Sequence, residues 1–169
     1  EYIKLLNRLK KRGQIEIVSG GMYEPILTLL TEEDGIAQIK MHINYIEKTF
    51  KERPKGIWLA ERVYEPHIPK TLNKAGVLYT LVDDYHFKAV GLSGKELHRY
   101  FVTEYEGYKL FIFPGLEFLR YAIPFKPIVE IDKYFREVED SGEDLAVFGD
   151  DGEKFGLWPG TYEHVYGTG

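Results

Sequence analysis

Acidic side chains follow three short apolar segments of the sequence, at the point where each segment ends. The acids are Glu61 after residues 56–60, Asp83-Asp84 after residues 77–82, and Asp150-Asp151 after residues 144–148. In parallel α/β proteins the carboxyl ends of the strands meet at one edge, where chemistry is built. Two facing carboxylates can divide the work of glycoside cleavage. One attacks the anomeric carbon, and the other protonates the leaving oxygen and then activates the second nucleophile.

Each of these acids also has a purely structural explanation. Asp commonly caps the first turn of a helix after a short loop. Asp150-Asp151-Gly152 is compatible with a tight turn, because Asp-Gly is a common turn dipeptide. Glu61-Arg62 is compatible with a solvated first helical turn, where the helix dipole favours Glu. Spacing alone therefore leaves both explanations open.

Composition narrows the possible chemistry. The chain has no Cys, which excludes thiolate catalysis and zinc sites built on Cys. Its five His are scattered without a His pair at ligand spacing, which argues against the metal site of a sugar deacetylase. A net charge of −5 argues against nucleic acid or an anionic membrane as the main partner. No apolar run approaches the length of a membrane span. We expect no metal and no cofactor.

The elements that must position these acids are predicted from apolar periodicity and turn residues. Helices are predicted over residues 1–12, near Pro25, from Thr31 to Phe50, over 66–75 and from Pro127; strands over 14–18, 56–60, 77–82 and 144–148; and a hairpin over 99–103 and 108–113. Alternating strands and helices indicate a parallel sheet with right-handed crossovers. An eight-stranded barrel needs about 250 residues, so the chain is a small open sheet or part of a larger barrel.

Two long segments resemble signature regions of glycoside hydrolase family 57. They are Trp-Leu-Ala-Glu-Arg-Val at 58–63 and Gly-Asp-Asp-Gly-Glu-Lys-Phe-Gly-Leu-Trp-Pro at 149–159. The segments at 13–21 and 82–87 are similar to further parts of that family. The resemblance covers residues 13–166 and is greatest to the 4-α-glucanotransferase group and its relatives named α-amylases.

The resemblance implies an α/β fold that is part of an incomplete seven-stranded (β/α) barrel, here with a β-hairpin insertion. It implies retaining chemistry through a covalent glucosyl-enzyme, without a cofactor, on starch-like maltooligosaccharides. The family nucleophile falls on Glu61 and the acid/base on Asp151. The adjacent Asp150 leaves a slip of one residue open. Retention implies carboxyl groups about 5–5.5 Å apart.

Six further residues are candidate substrate contacts. They are Glu16, Trp58, Asp84, His86, Glu153 and Trp158. Trp faces stack on glucose rings, but Trp58 lies inside an apolar run and is equally compatible with core packing. His86 is compatible with a bond to a sugar hydroxyl or with a bond that ties down its own loop.

The chain departs from the family pattern at both ends. The family's His-Gln-Pro motif, a last signature region and a C-terminal helical domain have no counterpart in the 169 residues. We therefore expect one partial catalytic barrel domain over 1–169, truncated at both ends and inactive alone, from a heat-adapted, cytoplasmic parent. Homo-oligomerisation of the parent stays open. So does the choice between transferase, α-amylase-type hydrolase and a non-catalytic glucan-binding module.

Overall fold

Two units make up the chain in the computed structural model, which describes residues 1–143 and 145–167. The first unit is Glu1–Val82 with Phe101–Ile112, and the second is Asp83–Tyr100 with the chain from Phe113 onward. Asp144, which begins the strand predicted over 144–148, lies outside the described residues, as do residues 168 and 169. The described part is a mixed α/β structure.

The helices and strands that form lie in the predicted order along the chain, with additional short helices. The α-helices are α1 (Tyr2–Lys11), α2 (Glu32–Phe50), α3 (Ile68–Ala75), α4 (Asp84–Ala89), α5 (Glu117–Ala122) and α6 (Ile128–Asp140). The strands are β1 (Gly56–Ile57), β2 (Tyr79–Asp83), β3 (Phe101–Tyr105) and β4 (Tyr108–Gly115). Single helical turns occur at Leu27–Leu29, Ala60–Arg62, Gly94–Leu97 and Gly152–Lys154, and a π-helical turn at Glu163–Gly167.

The sheet has four strands in the order β1-β2-β4-β3. β1 and β2 pair in parallel with Ile57 opposite Thr80, and the buried Thr80 hydroxyl donates to the Ile57 carbonyl at 2.8 Å. β3 and β4 form the predicted hairpin, with Phe101 opposite Ile112. The hairpin is continuous with the sheet, since β4 lies next to β2. The sequence describes it only as an insertion, and the seven-stranded barrel stays a prediction.

Packing of α2 against α3 provides much of the core of the first unit. The Thr31 hydroxyl accepts a hydrogen bond from the Asp34 amide at 3.2 Å, which confirms the predicted start of α2. Ile39 and Ile43 on α2 and Leu72 on α3 have no exposed surface. The helices approach closely at Gly35, where a Cβ would lie 3.0 Å from the Thr71 methyl group.

The second unit has its own smaller core. It is formed by Phe87, Leu97, Leu116, Leu119, Ala122 and Val138, all of which are buried. His98 adds a polar tie, because its Nδ1 lies 2.9 Å from the Leu145 carbonyl oxygen. None of the helices in the described ranges has the length and apolar character needed to cross a membrane.

Three predicted strands are either shorter than predicted or absent. Over 14–18 the chain has no strand, and only the following residue, Ser19, forms a parallel bridge, to Ile57. The strand predicted over 56–60 ends at Ile57. Over the described part of 144–148 only Val147 forms a bridge, to Gly115, and the buried strand predicted there is wrong because Phe148 is 36% exposed. The helix predicted near Pro25 is one turn at Leu27–Leu29.

Candidate active site

The segment that follows β1 turns sharply at Glu61. After Leu59 the chain enters a single helical turn at Ala60–Arg62, closed by the Arg62 amide donating to the Leu59 carbonyl at 2.9 Å. Within it Glu61 has φ 54° and Arg62 has φ 56°. Residues other than glycine rarely adopt this left-handed backbone region, because it costs about 1–2 kcal/mol per residue. Two consecutive residues in this conformation mark the turn as strained, and such strain clusters at functional sites.

The side chains of this turn are partly open to solvent. Glu61 is exposed and Arg62 is half-buried. The Arg62 guanidinium carbon lies 5.9 Å from the centre of the Trp58 ring, within the range of a cation–π contact. The positive charge of Arg62, the residue that follows Glu61, is therefore held near the Trp58 ring.

A cavity of about 370 Å³ lies beside this turn. It is lined by Val18, Ser19, Gly20, Gly21, Met22, Glu24, His42, Trp58 and Ala60. The sequence leaves Trp58 between core packing and ligand contact. In the structure Trp58 is half-buried and borders the cavity, so an indole surface is available to a flat ligand.

His42 fixes the backbone at the rim of this cavity. Its Nδ1 accepts a hydrogen bond from the Gly20 amide at 2.8 Å, and the Ser19 hydroxyl lies 3.4 Å away. Because Nδ1 accepts, the proton of the neutral ring is on Nε2. His42 is one of the five scattered His of the sequence and is not among the predicted site residues. Its tie to Gly20, 22 residues away, has no local signature.

Glu16 occupies a different part of the first unit. Its carboxylate accepts a hydrogen bond from the Tyr79 hydroxyl at 2.9 Å. Burial, and then this hydrogen bond, raise the pKa of Tyr79 to about 12. Tyr79 and Gly56 start β2 and β1, so Glu16 lies near the amino ends of these strands, whereas Glu61 follows the carboxyl end of β1.

The second candidate segment, in the second unit, distinguishes Asp150 from its neighbour Asp151. The Asp150 side chain is 5% exposed and forms a short ion pair with Lys154. Its other oxygen accepts a hydrogen bond from the Asp151 amide at 2.9 Å. Asp150 is thus committed to structure through both carboxylate oxygens.

Asp151 is placed quite differently. It precedes the turn Gly152–Lys154 as the N-cap residue, but its side chain makes no capping hydrogen bond, and it is exposed. The helix-cap explanation therefore does not apply to its carboxylate. Glu153 and Trp158 follow on the same segment, both exposed, and the Trp158 amide donates to the Glu153 carbonyl at 3.1 Å.

Asp84 is a buried carboxylate at the start of α4. Its side chain is 5% exposed, and Oδ2 accepts from Lys88 at 3.0 Å and from the Glu117 amide at 3.3 Å. The hydrogen bond to Asp84 raises the pKa of Lys88. Burial and then the Asp84 charge raise the pKa of Tyr134. His86 is half-buried on the same helix, with its ring edge-on to Tyr85 at 5.7 Å.

The predicted site residues divide between the two units. Glu16, Trp58 and Glu61 belong to the first unit; Asp84, His86, Asp151, Glu153 and Trp158 belong to the second. In the described ranges 1–143 and 145–167, no group of three or more His, Asp or Glu side chains is arranged to hold a metal ion. The most informative residue that the sequence did not single out is the buried Lys154.

Known proteins are similar to the chain over its whole length. The model of glycosyl hydrolase family 57 matches residues 1–167. An α-amylase from Pyrococcus horikoshii is 49% identical over 100% of this chain and 27% of its own length. A 4-α-glucanotransferase from Thermococcus litoralis is 48% identical over 100% of this chain and 26% of its own.

A solved structure extends this similarity to the fold. The crystal structure of 4-α-glucanotransferase from Thermococcus litoralis superposes with a TM-score of 0.91 and 48% identity, over 99% of this chain and 26% of that one. The chain thus spans about a quarter of the length of these relatives. With the family model matched from residue 1 to residue 167, the chain belongs to glycosyl hydrolase family 57.

Proposed function

We propose that the full-length gene product is a retaining 4-α-glucanotransferase that acts on starch-like maltooligosaccharides, with Glu61 as nucleophile and Asp151 as acid/base. The observation that carries the proposal is the backbone of the Glu61 turn. A residue in an energetically unfavourable conformation persists only where the surrounding structure enforces it. Here Glu61 is exposed, and Ala60 of the same turn lines a cavity together with Trp58.

The proposed reaction has two displacements at the anomeric carbon. In the first, the Glu61 carboxylate attacks this carbon while Asp151 donates its proton to the leaving glycosidic oxygen. The products are a β-linked glucosyl ester and a shortened glucan. In the second, the Asp151 carboxylate removes a proton from the 4-hydroxyl of an acceptor glucan, which attacks the ester and regenerates Glu61.

The surroundings of the two adjacent acids favour Asp151 for the proton transfers. A general acid must reach the substrate oxygen and must exchange its proton in each cycle. Asp151 is exposed, with no side-chain cap bond, whereas Asp150 is buried against Lys154. A buried carboxylate with both oxygens in protein contacts is out of reach of a sugar.

Two Trp side chains support glucan as the substrate class. Trp58 borders the cavity beside the nucleophile turn, and Trp158 is 43% exposed on the acid segment. Exposed indole faces pack well against the apolar faces of sugar rings. Glu153, exposed two residues after Asp151, is proposed as a hydrogen-bond acceptor for sugar hydroxyls.

Three other proposed contacts have less support. Glu16 bonds Tyr79 near the amino ends of the strands, and Asp84 is buried in bonds to Lys88 and the Glu117 amide. His86 is half-buried beside Tyr85. Glu16, Asp84 and His86 keep their proposed roles, but direct contact with sugar requires them to exchange present protein contacts for sugar hydroxyls.

An α-amylase-type hydrolase is the second candidate. Relatives at 49% and 48% identity carry the names α-amylase and 4-α-glucanotransferase, so both activities occur at the same similarity. The two reactions share the glucosyl ester and differ in whether water or a glucan hydroxyl resolves it. Product analysis with maltotriose separates them: a transferase yields longer glucans together with glucose, whereas a hydrolase yields only shorter products.

The proposal is tested with Glu61→Ala in the full-length gene product. We expect turnover of maltooligosaccharides to be lost, because the covalent route needs the carboxylate. Added azide should restore cleavage and yield a β-glycosyl azide, since the small anion attacks from the vacated side. The control is Glu65→Ala, which removes an exposed Glu four residues away. Wild-type turnover by Glu61→Ala would contradict the assignment.

A further inference from the structure

Lys154 is the only charged side chain among the largest fully buried side chains of the described residues, at 2% exposed. A buried ammonium is costly unless hydrogen bonds and an opposite charge replace its water. Its Nζ donates to the Arg120 carbonyl at 2.6 Å and pairs with the Asp150 carboxylate. It also lies 5.6 Å from the Phe125 ring centre and 5.4 Å from that of Phe148.

Asp150 connects this buried charge to the proposed acid/base. One of its oxygens pairs with Lys154, and the other accepts from the Asp151 amide at 2.9 Å. The backbone of Asp151 is thus tied, through one carboxylate, to an ammonium fixed inside the second unit. The Arg120 carbonyl anchors that ammonium to α5, 34 residues earlier in the chain.

The charge of Lys154 also balances the charge of Asp150. Without Lys154, Asp150 would place a negative charge next to the Asp151 carboxyl and favour its protonated form. Without Asp150, the ammonium alone would favour the ionised form of Asp151. The other charged groups here are Arg120, which pairs with Asp83 at 3.0 Å, and Glu153 next in sequence to Lys154. His164, whose ring lies 5.7 Å from that of Phe125, is a further titratable group next to one of the rings around Lys154.

We infer that Lys154 is a positioning residue: together with Asp150 it holds the Asp151 backbone in place and sets the charge beside the acid/base. This inference rests on the proposed function, because it assigns the proton transfers to Asp151. Lys154 touches no substrate in this account. Its effect reaches the reaction through Asp150, through the Asp151 amide and through its own positive charge.

The test removes the positive charge of Lys154 and the negative charge of Asp150, separately and together. Lys154→Met, Asp150→Asn and the double variant are made in the full-length gene product, and kcat/KM for maltotriose is measured against pH. Since Asp151 must be protonated for the first step, Lys154→Met should move the alkaline limb to higher pH. Asp150→Asn should move it to lower pH. The double variant should return the limb close to the wild-type position.

If Lys154 and Asp150 had only a structural role, their variants would lose activity, but the alkaline limb of the pH profile would not move in opposite directions. Circular dichroism establishes that each variant is folded, and if Lys154→Met does not fold, the downward shift in Asp150→Asn decides the question alone. Lys133→Met is the matched control, because Lys133 forms an exposed i,i+4 pair with Glu137 at 3.7 Å. Its limb should not move. Shifts of the same sign, or none, in the folded variants would overturn the inference.

Failure of the proposed function would have a separate signature. Asp151→Ala should abolish turnover of maltotriose if Asp151 is the acid/base. Retention of turnover by Asp151→Ala would overturn the role of Asp151 itself. Loss of turnover in Asp151→Ala, with no opposite shifts in the Lys154 and Asp150 variants, would overturn only the inference about Lys154.

Discussion

Glu61 and Arg62 are consecutive non-glycine residues whose backbones adopt the left-handed conformation, with φ values of 54° and 56°. The turn that they form directs Glu61 to solvent and Arg62 over the ring of Trp58 at 5.9 Å. The sequence motif predicts a functional role for the Glu61 carboxylate. The strained backbone at Glu61 is an independent physical reason to expect one. This conformation lowers stability, and the proposed role of Glu61 as nucleophile would account for it.

Glu61→Gly should therefore separate stability from activity. Glycine adopts positive φ without a Cβ penalty, so we expect the free energy of unfolding to rise by up to about 1 kcal/mol while turnover is lost. Denaturant unfolding and a maltotriose assay measure the two effects. Lys51→Gly is the matched control: Lys51 ends α2 at φ 58°, and its replacement should stabilise similarly with full activity. Marked destabilisation by Glu61→Gly would contradict the strain argument.

The exposed face of Trp158 should contribute to glucan binding. Trp158→Ala should raise KM for maltotriose about twofold to tenfold and change kcat little, because stacking stabilises the bound sugar in ground and transition states alike. Leu157→Ala is the control, since Leu157 is 80% exposed and offers no aromatic face. Steady-state kinetics of both variants decide the point. An unchanged KM in Trp158→Ala would remove Trp158 from the site.

Tyr79 should make stability depend on pH in the alkaline range. Its pKa is raised from 10.0 to about 12, by burial and by the hydrogen bond to Glu16. This contribution to folding is complete below about pH 10 and is lost as pH rises through about 12. The Tm of the wild type should therefore fall more steeply over this window than that of Tyr79→Phe. Tyr2→Phe, at a residue 70% exposed, should behave like the wild type. Equal slopes in all three would contradict the assignment.

Local sequence patterns predict the elements whose stabilising contacts are local. The cap at Thr31, the stop of α3 at Gly76 and the turn at Glu106-Gly107 each depend on residues within a few positions. The strand predictions are wrong where strand formation depends on pairing with a distant segment of the chain. The alternation over 14–18 is real, but only Ser19 finds a partner across the sheet.

The features of the candidate site also divide into those that local sequence predicts and those that depend on distant contacts. The motifs predict Glu61 and Asp151 as catalytic residues, because the family resemblance is carried by consecutive residues. The burial of Lys154 is not predicted, because its partner Arg120 lies 34 residues earlier and no local pattern indicates an interior charge. The tie between His42 and Gly20 is missed for the same reason. Long-range polar contacts thus account for most of what the sequence leaves open.

Glu61 is proposed to carry the glucosyl group, and peptide mass mapping of a trapped intermediate tests this role most directly. A 5-fluoro maltosyl fluoride forms the glycosyl ester and hydrolyses slowly, because fluorine destabilises the oxocarbenium-like transition state. After incubation with the full-length gene product and proteolysis, we expect one added glycosyl group, on Glu61. The adduct should be absent in Glu61→Ala and present in Glu65→Ala. An adduct on another carboxylate, or rapid turnover with none, would contradict the account.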